Sequence, residues 1–360
     1  MSSIIPASQR YTAIWQSPNP HEREWIEEIL GPYISEHVTD GNHEVVLDNA
    51  IVLEAFVYCS DPAYYARFRG KNAFLVHFLD ENYEGGYEIY RNFRGVLRGF
   101  WSGVFDPKYV MALPLGYSNG MARGGRAIGR ATTRKYVWSF VGQANKSSRP
   151  DVARGLATIE PHFMYSTDNV PGLSILNHVN GKPRRFPPSE FSQFLFDSAF
   201  SPCPMGNANL ECYRVYESLE CGAIPILEKR LTLDYFRKLL GDHPMPTFRS
   251  WTEARHMIGK MLRNPDDIDR LQEECMQWWD SYKRAYTARV GEFLQERSGD
   301  MAAEMGPMVS KIQTIPGWQV LELTRHHNTS ALLRRASRQA NRLLTRGKLR
   351  EAHRPGAKAG

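Results

Sequence analysis

Arg214 and Glu217 stand three residues apart in the stretch from Phe200 to Leu227, FSPCPMGNANLECYRVYESLECGAIPIL. That stretch reads as strand, glycine-containing loop, helix and strand. Residues three apart on a helix are neighbours, so a cation and a carboxylate are expected to point the same way beside the loop. A nucleotide sugar offers matching handles: a diphosphate that needs positive charge, and a ribose diol that hydrogen-bonds to a carboxylate. Pro204, Gly206 and Asn207 are uncharged and precede the helix, which lets the backbone come close to a ligand. The same spacing also describes an ordinary surface ion pair worth roughly a few tenths of a kcal/mol.

A second constellation lies in SFVGQANKSSRP, residues 139–150. A strand ends at Gly142, a polar loop carries Lys146 and Arg149, and Pro150 suits the first turn of a helix. Free backbone N–H groups and the helix dipole make such a junction an anion site, to which Lys146 and Arg149 would add formal charge. The alternative is a solvated basic loop. It is not a Walker loop, because the Gly-x-x-x-x-Gly-Lys-Ser/Thr order is missing. The third candidate is HFLDENY, residues 77–83, where an apolar strand runs into Asp80 and Glu81. In doubly wound domains the ligand crevice lies at the carboxyl ends of strands. Either carboxylate there could take the proton from an attacking hydroxyl, or simply cap the next helix. Arg98, in VLR, could bind an acceptor or phosphate group, or pair with Glu81.

The elements that must position these residues alternate along the chain. Residues 10–120 give strands at RYTAIWQ, NAIVLEAFVY, NAFLVHFL, GVLRGFW and YVMALPL. The helix HEREWIEEIL and a turn with a short helix at YEGGYEIYRNF lie between them. Near-continuous apolar runs of this length suit strands covered on both faces. Residues 118–133, rich in Gly and Arg without periodicity, read as a linker. A second alternation runs from KYVWSFVG through AIPIL to the helix WTEARHMIGKML, and the long helical stretch from Pro265 closes the body. The expectation is an α/β protein with two doubly wound, Rossmann-like domains facing a cleft. The boundaries are 1–120 for the acceptor side, 121–133 for the linker, 134–300 for the donor side and 301–360 for an extension.

Composition narrows the class. The chain has 360 residues, 42% hydrophobic and 12% aromatic, which excludes disorder and is comfortable for two domains. Neither a secretory signal nor a membrane span is visible. Five cysteines without C-x-x-C spacing argue for reduced thiols and against a zinc site, with the cytoplasm as the default compartment. The net charge of +6 belongs to the tail: residues 325–360 hold ten Lys/Arg against one acidic residue, leaving 35 against 38 elsewhere. With its leucines among arginines, the tail suits an anionic membrane surface or a solvated extension. No motif supports nucleic-acid binding. Asp267-Ile268-Asp269 fits an Asp-x-Asp metal pattern, but it opens a helix, where acidic residues favour the dipole. Trp278 and Trp279 read as packing, and His77 and His162 as core or rim residues.

Residues 203–226 resemble the C-terminal signature of exostosin-like glycosyltransferases. In this chain it stands as Cys203-Pro204-Met205-Gly206, then Tyr213-Arg214-Val215-Tyr216-Glu217-Ser218-Leu219, then Cys221-Gly222-Ala223-Ile224-Pro225-Ile226. Ser218 replaces the usual Ala. Asp80-Glu81, Tyr83 and Val96-Leu97-Arg98 also resemble the N-terminal half of exostosin-related bacterial proteins. The resemblance implies GT-B architecture and an inverting transfer from a uridine-type nucleotide sugar to a glycan acceptor; no metal or other cofactor is expected. The donor-binding residues are then expected to be Gly142, Lys146, Arg149, Gly206, Asn207 and Arg214 around the diphosphate, with Glu217 at the ribose. Competing readings are a non-catalytic polyanion- or membrane-binding protein on an inactive transferase body, and phosphorolysis or epimerisation on a similar frame.

Overall fold

The computed structural model describes residues 10–17, 20–39, 47–55, 61–81, 86–103, 105–167, 185–230 and 234–299. The basic tail and Tyr83 lie outside the described residues. Two parallel sheets form two lobes. The first has strands β1 (Tyr11–Trp15), β2 (Ile34–Thr39), β3 (Ala50–Glu54), β4 (Ala73–His77), β5 (Gly95–Arg98) and β6 (Val110–Ala112), in the order β2-β1-β3-β4-β5-β6. The second has β7 (Tyr136–Gly142), β8 (His162–Ser166), β9 (Ser198–Cys203), β10 (Ile224–Glu228) and β11 (Thr247–Phe248), in the order β11-β10-β9-β7-β8. Each order reverses once, between β1 and β3 and between β7 and β9. In open parallel sheets the ligand crevice forms at such a reversal, beyond the carboxyl ends of the strands.

The strands form where the sequence is apolar without interruption. AIVLE of β3 and AFLVH of β4 are buried along almost their whole length, as a parallel sheet with two covered faces requires. β2, ISEHVT, was not among the expected strands. It is an edge strand with mostly exposed residues, so it lacks the apolar run that marks the others.

Helices α1 (Arg23–Leu30), α2 (Pro62–Ala66), α3 (Arg149–Leu156), α4 (Pro188–Phe196), α5 (Tyr213–Glu220), α6 (Tyr235–Leu240) and α7 (Trp251–Met261) cover the sheets. A last helix, α8 (Pro265–Gly299), has 35 residues and is therefore about 50 Å long. Its first half serves the second lobe, where Gln272 Nε2 donates to the carbonyls of Gly129 and Gly222. Its second half lies on the first lobe: Tyr286 Oη donates to Ala112 O, Arg297 Nε to Arg94 O, and Thr287 O accepts from Tyr33 Oη. α8 thus ties together two lobes that the sequence divides at residue 133. No helix among the described residues is long and apolar enough to cross a membrane.

The segment between the lobes is a fastened strap. Asn119 binds the start of α1, Arg123 reaches Glu220 and Asp280, and Arg130 and Thr132 engage Asp269. Asp269 is therefore taken up in holding the strap to α8, a structural use of the Asp-x-Asp pattern.

Candidate active site

Helix α5 is buried on nearly every side, its charged residues included: Arg214, Glu217 and Glu220 are all inside. A buried polar group needs a partner, and these three find theirs in different directions. Arg214 runs to the end of β7. Its Nη2 donates to Val141 O at 2.6 Å, and its guanidinium carbon sits 4.3 Å from the centroid of the Phe140 ring. Gly142 is required by this approach, because a Cβ there would lie 2.8 Å from Arg214 Nη2. No ion pair to Arg214 exists among the described residues, and its Nε is buried without a hydrogen-bond partner.

Glu217 turns toward the strap, where its Oε1 accepts from Ser118 Oγ at 2.5 Å. Burial pushes its carboxyl up, opposed by the Ser118 hydrogen bond and by the nearby Arg214 charge. Arg214 and Glu217 are thus neighbours that face different partners, where the spacing led us to expect a common direction. A ribose reaching Glu217 must replace Ser118. Glu220 accepts from Trp279 Nε1, Lys283 Nζ and Arg123 N, and so anchors α8 and the strap to α5.

Two loops at the reversal of the second sheet complete the arrangement. In the loop after β7, Arg149 Nη1 donates to Gln143 O at 3.1 Å and its Nε to Met205 O at 3.4 Å. Lys146 Nζ donates to Asn207 Oδ1 at 2.9 Å. The loop after β9 carries Met205, Gly206 and Asn207, so the structure brings Gly142, Lys146, Arg149, Gly206, Asn207 and Arg214 to one end of one sheet. Glu228, at the end of β10, was not anticipated. Its carboxylate accepts from Ser148 Oγ and from Met205 N and pairs with Arg230 at 2.7 Å, joining both loops. Its position at the carboxyl end of the strand AIPIL was the available signal.

The first lobe corrects two expectations. Asp80, a candidate base, is sealed: its carboxylate pairs with Arg98 Nη2 at 2.9 Å and accepts from Tyr87 Oη at 2.6 Å, with the two charged side chains 1% and 2% exposed. Arg98 in turn donates to the carbonyls of Gly99 and Phe100 and lies over Phe105. It shapes the loop after β5 and is not placed to meet an acceptor. Beside them His77 Nδ1 hydrogen-bonds the Tyr90 hydroxyl; burial pulls the imidazole down to about 3, so it is neutral at any working pH.

Glu81, one residue on, leaves this cluster and crosses to the second lobe. Its Oε1 accepts from Ala208 N at 2.8 Å and Asn209 N at 3.1 Å, and its Oε2 from Asn207 Nδ2 at 3.0 Å. Glu22, at the start of α1, makes a second crossing that sequence reasoning missed. Its Oε1 accepts from Tyr213 Oη, its Oε2 is buried without a partner, and burial pushes its carboxyl up. A third crossing joins Leu115 N to Glu211, which also accepts from Tyr216 and Tyr235. The boundary between the lobes is therefore lined by carboxylates from both sides, next to three cations at the end of the second sheet.

No curated protein matches the chain. Among solved structures, the β-glucosyltransferase of phage T4 in complex with UDP and Mn2+ aligns at 9% identity with a TM-score of 0.47. It covers 79% of this chain and 99% of that one. The DNA-modifying β-glucosyltransferase studied with and without uridine diphosphoglucose gives 9% identity and a TM-score of 0.48, covering 81% and 99%. Residues 125–298, the span that carries both cationic loops, α5 and nearly all of α8, match the family model described as the RXYLT1 C-terminal domain.

Proposed function

We propose that the second lobe binds a uridine-type nucleotide sugar and that the first lobe presents a glycan hydroxyl to it. The protein is a glycosyltransferase built on two Rossmann-like lobes. The observation that carries the donor assignment is Arg214: a buried guanidinium held by the Val141 carbonyl, with no ion pair among the described residues, at the reversal of a parallel sheet. A buried cation in that state suits an anionic ligand, because the Val141 carbonyl, the Phe140 ring and the nearby Glu217 offset the desolvation of its charge only in part. With Lys146 and Arg149 it would stabilise the diphosphate as negative charge builds on the leaving group.

In this reading an acceptor hydroxyl attacks the anomeric carbon from the side opposite the diphosphate, which inverts the centre. The bond to the diphosphate oxygen breaks as the new glycosidic bond forms, and the hydroxyl proton passes to a first-lobe carboxylate. Of the two carboxylates suggested by sequence, Glu81 borders the second lobe and Asp80 does not, so Glu81 takes that role. Glu217 serves the ribose once Ser118 gives way.

The test is release of nucleotide from a panel of UDP-sugars by the full chain. We expect release from at least one of them, reduced about 10²–10⁴-fold in Glu81→Gln and also reduced in Arg214→Ala. Release that Arg214→Ala leaves intact removes the donor assignment.

A further inference from the structure

The contact between Glu81 and the 206–209 loop places a carboxylate where the proposed donor's phosphates belong. Gly206 N donates to Asn209 O at 2.7 Å, which folds the loop into a tight turn. The turn leaves Ala208 N and Asn209 N pointing together at Glu81 Oε1, while Asn207 Nδ2 takes Oε2. Successive backbone N–H groups that converge in this way form an anion-binding concavity. Gly206 is needed for the approach, since a Cβ there would lie 2.6 Å from Glu81 Oε1. Lys146 reaches the same turn through Asn207, and Arg149 holds the carbonyl of Met205 one residue before it. The turn leads directly into α5, which carries Arg214. A phosphate oxygen and a carboxylate oxygen accept the same hydrogen bonds from such donors.

We propose that Glu81 is an internal occupant of this anion site, competing with the phosphates of the nucleotide ligand, and that the ligand displaces it. The inference rests on the donor assignment above and adds a coupling to it. While the donor site is empty, the carboxylate is held by the loop. When phosphate oxygens take the amides of Ala208 and Asn209, Glu81 is released beside the crevice, free to accept the acceptor's proton. Proton acceptance thereby depends on donor binding, and a lone acceptor meets an enzyme whose carboxylate is engaged.

Competition has a signature that a merely structural contact lacks. A ligand that must displace an internal competitor binds with an apparent affinity reduced by the fraction of competent molecules, so removing the competitor tightens binding. UDP and uridine are titrated into wild type, Glu81→Ala and the size-preserving Glu81→Gln, with Arg214→Ala alongside. We expect UDP to bind both Glu81 variants about fivefold or more tightly than wild type, with uridine, which has no phosphate, unchanged. Unchanged or weaker UDP binding in both variants overturns the proposal, and so does an equal gain for uridine, which would mark a general opening of the lobes. If Arg214→Ala weakens UDP while the Glu81 variants leave it unchanged, this inference alone fails. If wild type does not bind UDP, or binds it equally without Arg214, the donor assignment and this inference fall together.

Discussion

Arg98 and Arg214 are the same residue type in matching surroundings, and they do opposite things. Each is buried at the carboxyl end of a parallel sheet, and each lies over a phenylalanine ring, Phe105 for Arg98 and Phe140 for Arg214. Arg98 meets a carboxylate, Asp80, inside a shell that includes Tyr87. Arg214 meets a neutral carbonyl, Val141 O, and has no ion pair among the described residues. A buried cation with its counter-charge in the same lobe is finished as structure. One held by a carbonyl, with a carboxyl nearby but unpaired, retains charge for a ligand. The difference between the lobes is thus a difference in who neutralises the arginine.

The largest effect is expected at Asp80. Removing one partner of a buried ion pair leaves the other charge uncompensated, at about 3–5 kcal/mol. Asp80→Ala should therefore lose about that much stability in urea denaturation, whatever its activity. A loss below about 1 kcal/mol would mean that Arg98 is not held as described.

Arg214→Ala should be milder by the same measurement, about 1.5–3 kcal/mol, the usual net worth of a hydrogen bond to a charged group. A loss as large as that of Asp80→Ala would make Arg214 structural and erase the contrast. Gly142→Ala sharpens it from the backbone side. The added Cβ would crowd Arg214 Nη2, so nucleotide affinity should fall although no charge is removed. Wild-type affinity in Gly142→Ala would show that the guanidinium need not lie where the structure has it.

The smallest effect concerns pH. Burial pushes the carboxyls of Glu22, Glu211 and Glu217 above the ordinary 4.5. An acid whose folded-state pKa is raised binds its proton more tightly in the folded protein. Its contribution to stability is complete below the unfolded value and is lost as pH rises through the folded one. Urea midpoints should accordingly fall from mildly acidic toward neutral pH, and Glu217→Gln should flatten part of that slope. A slope unchanged in Glu217→Gln would show that this carboxyl titrates normally.

The sequence displayed these regions unequally, for physical reasons. The 203–226 segment was legible because strand, tight loop and helix leave local marks: an apolar run, Gly206, and the Arg-x-x-Glu spacing. The two sheets were legible because parallel strands such as β3 and β4 are apolar throughout. The fates of Asp80 and Glu81 were not, since neighbouring carboxylates look alike until the chain decides which one meets Arg98. Glu22 was hidden because its partner, Tyr213, lies in the other lobe. The direction of Glu217 was hidden too, because Ser118 belongs to a strap whose sequence has no periodicity.

Whether the Arg214 guanidinium meets a phosphate is read from a calorimetric titration of UDP into wild type and Arg214→Ala, the variant first being shown to be folded. If the buried guanidinium is kept for a phosphate, UDP affinity should fall about 10–100-fold, as expected for a hydrogen bond to a charged group. Equal affinity for UDP in the two proteins would contradict the account.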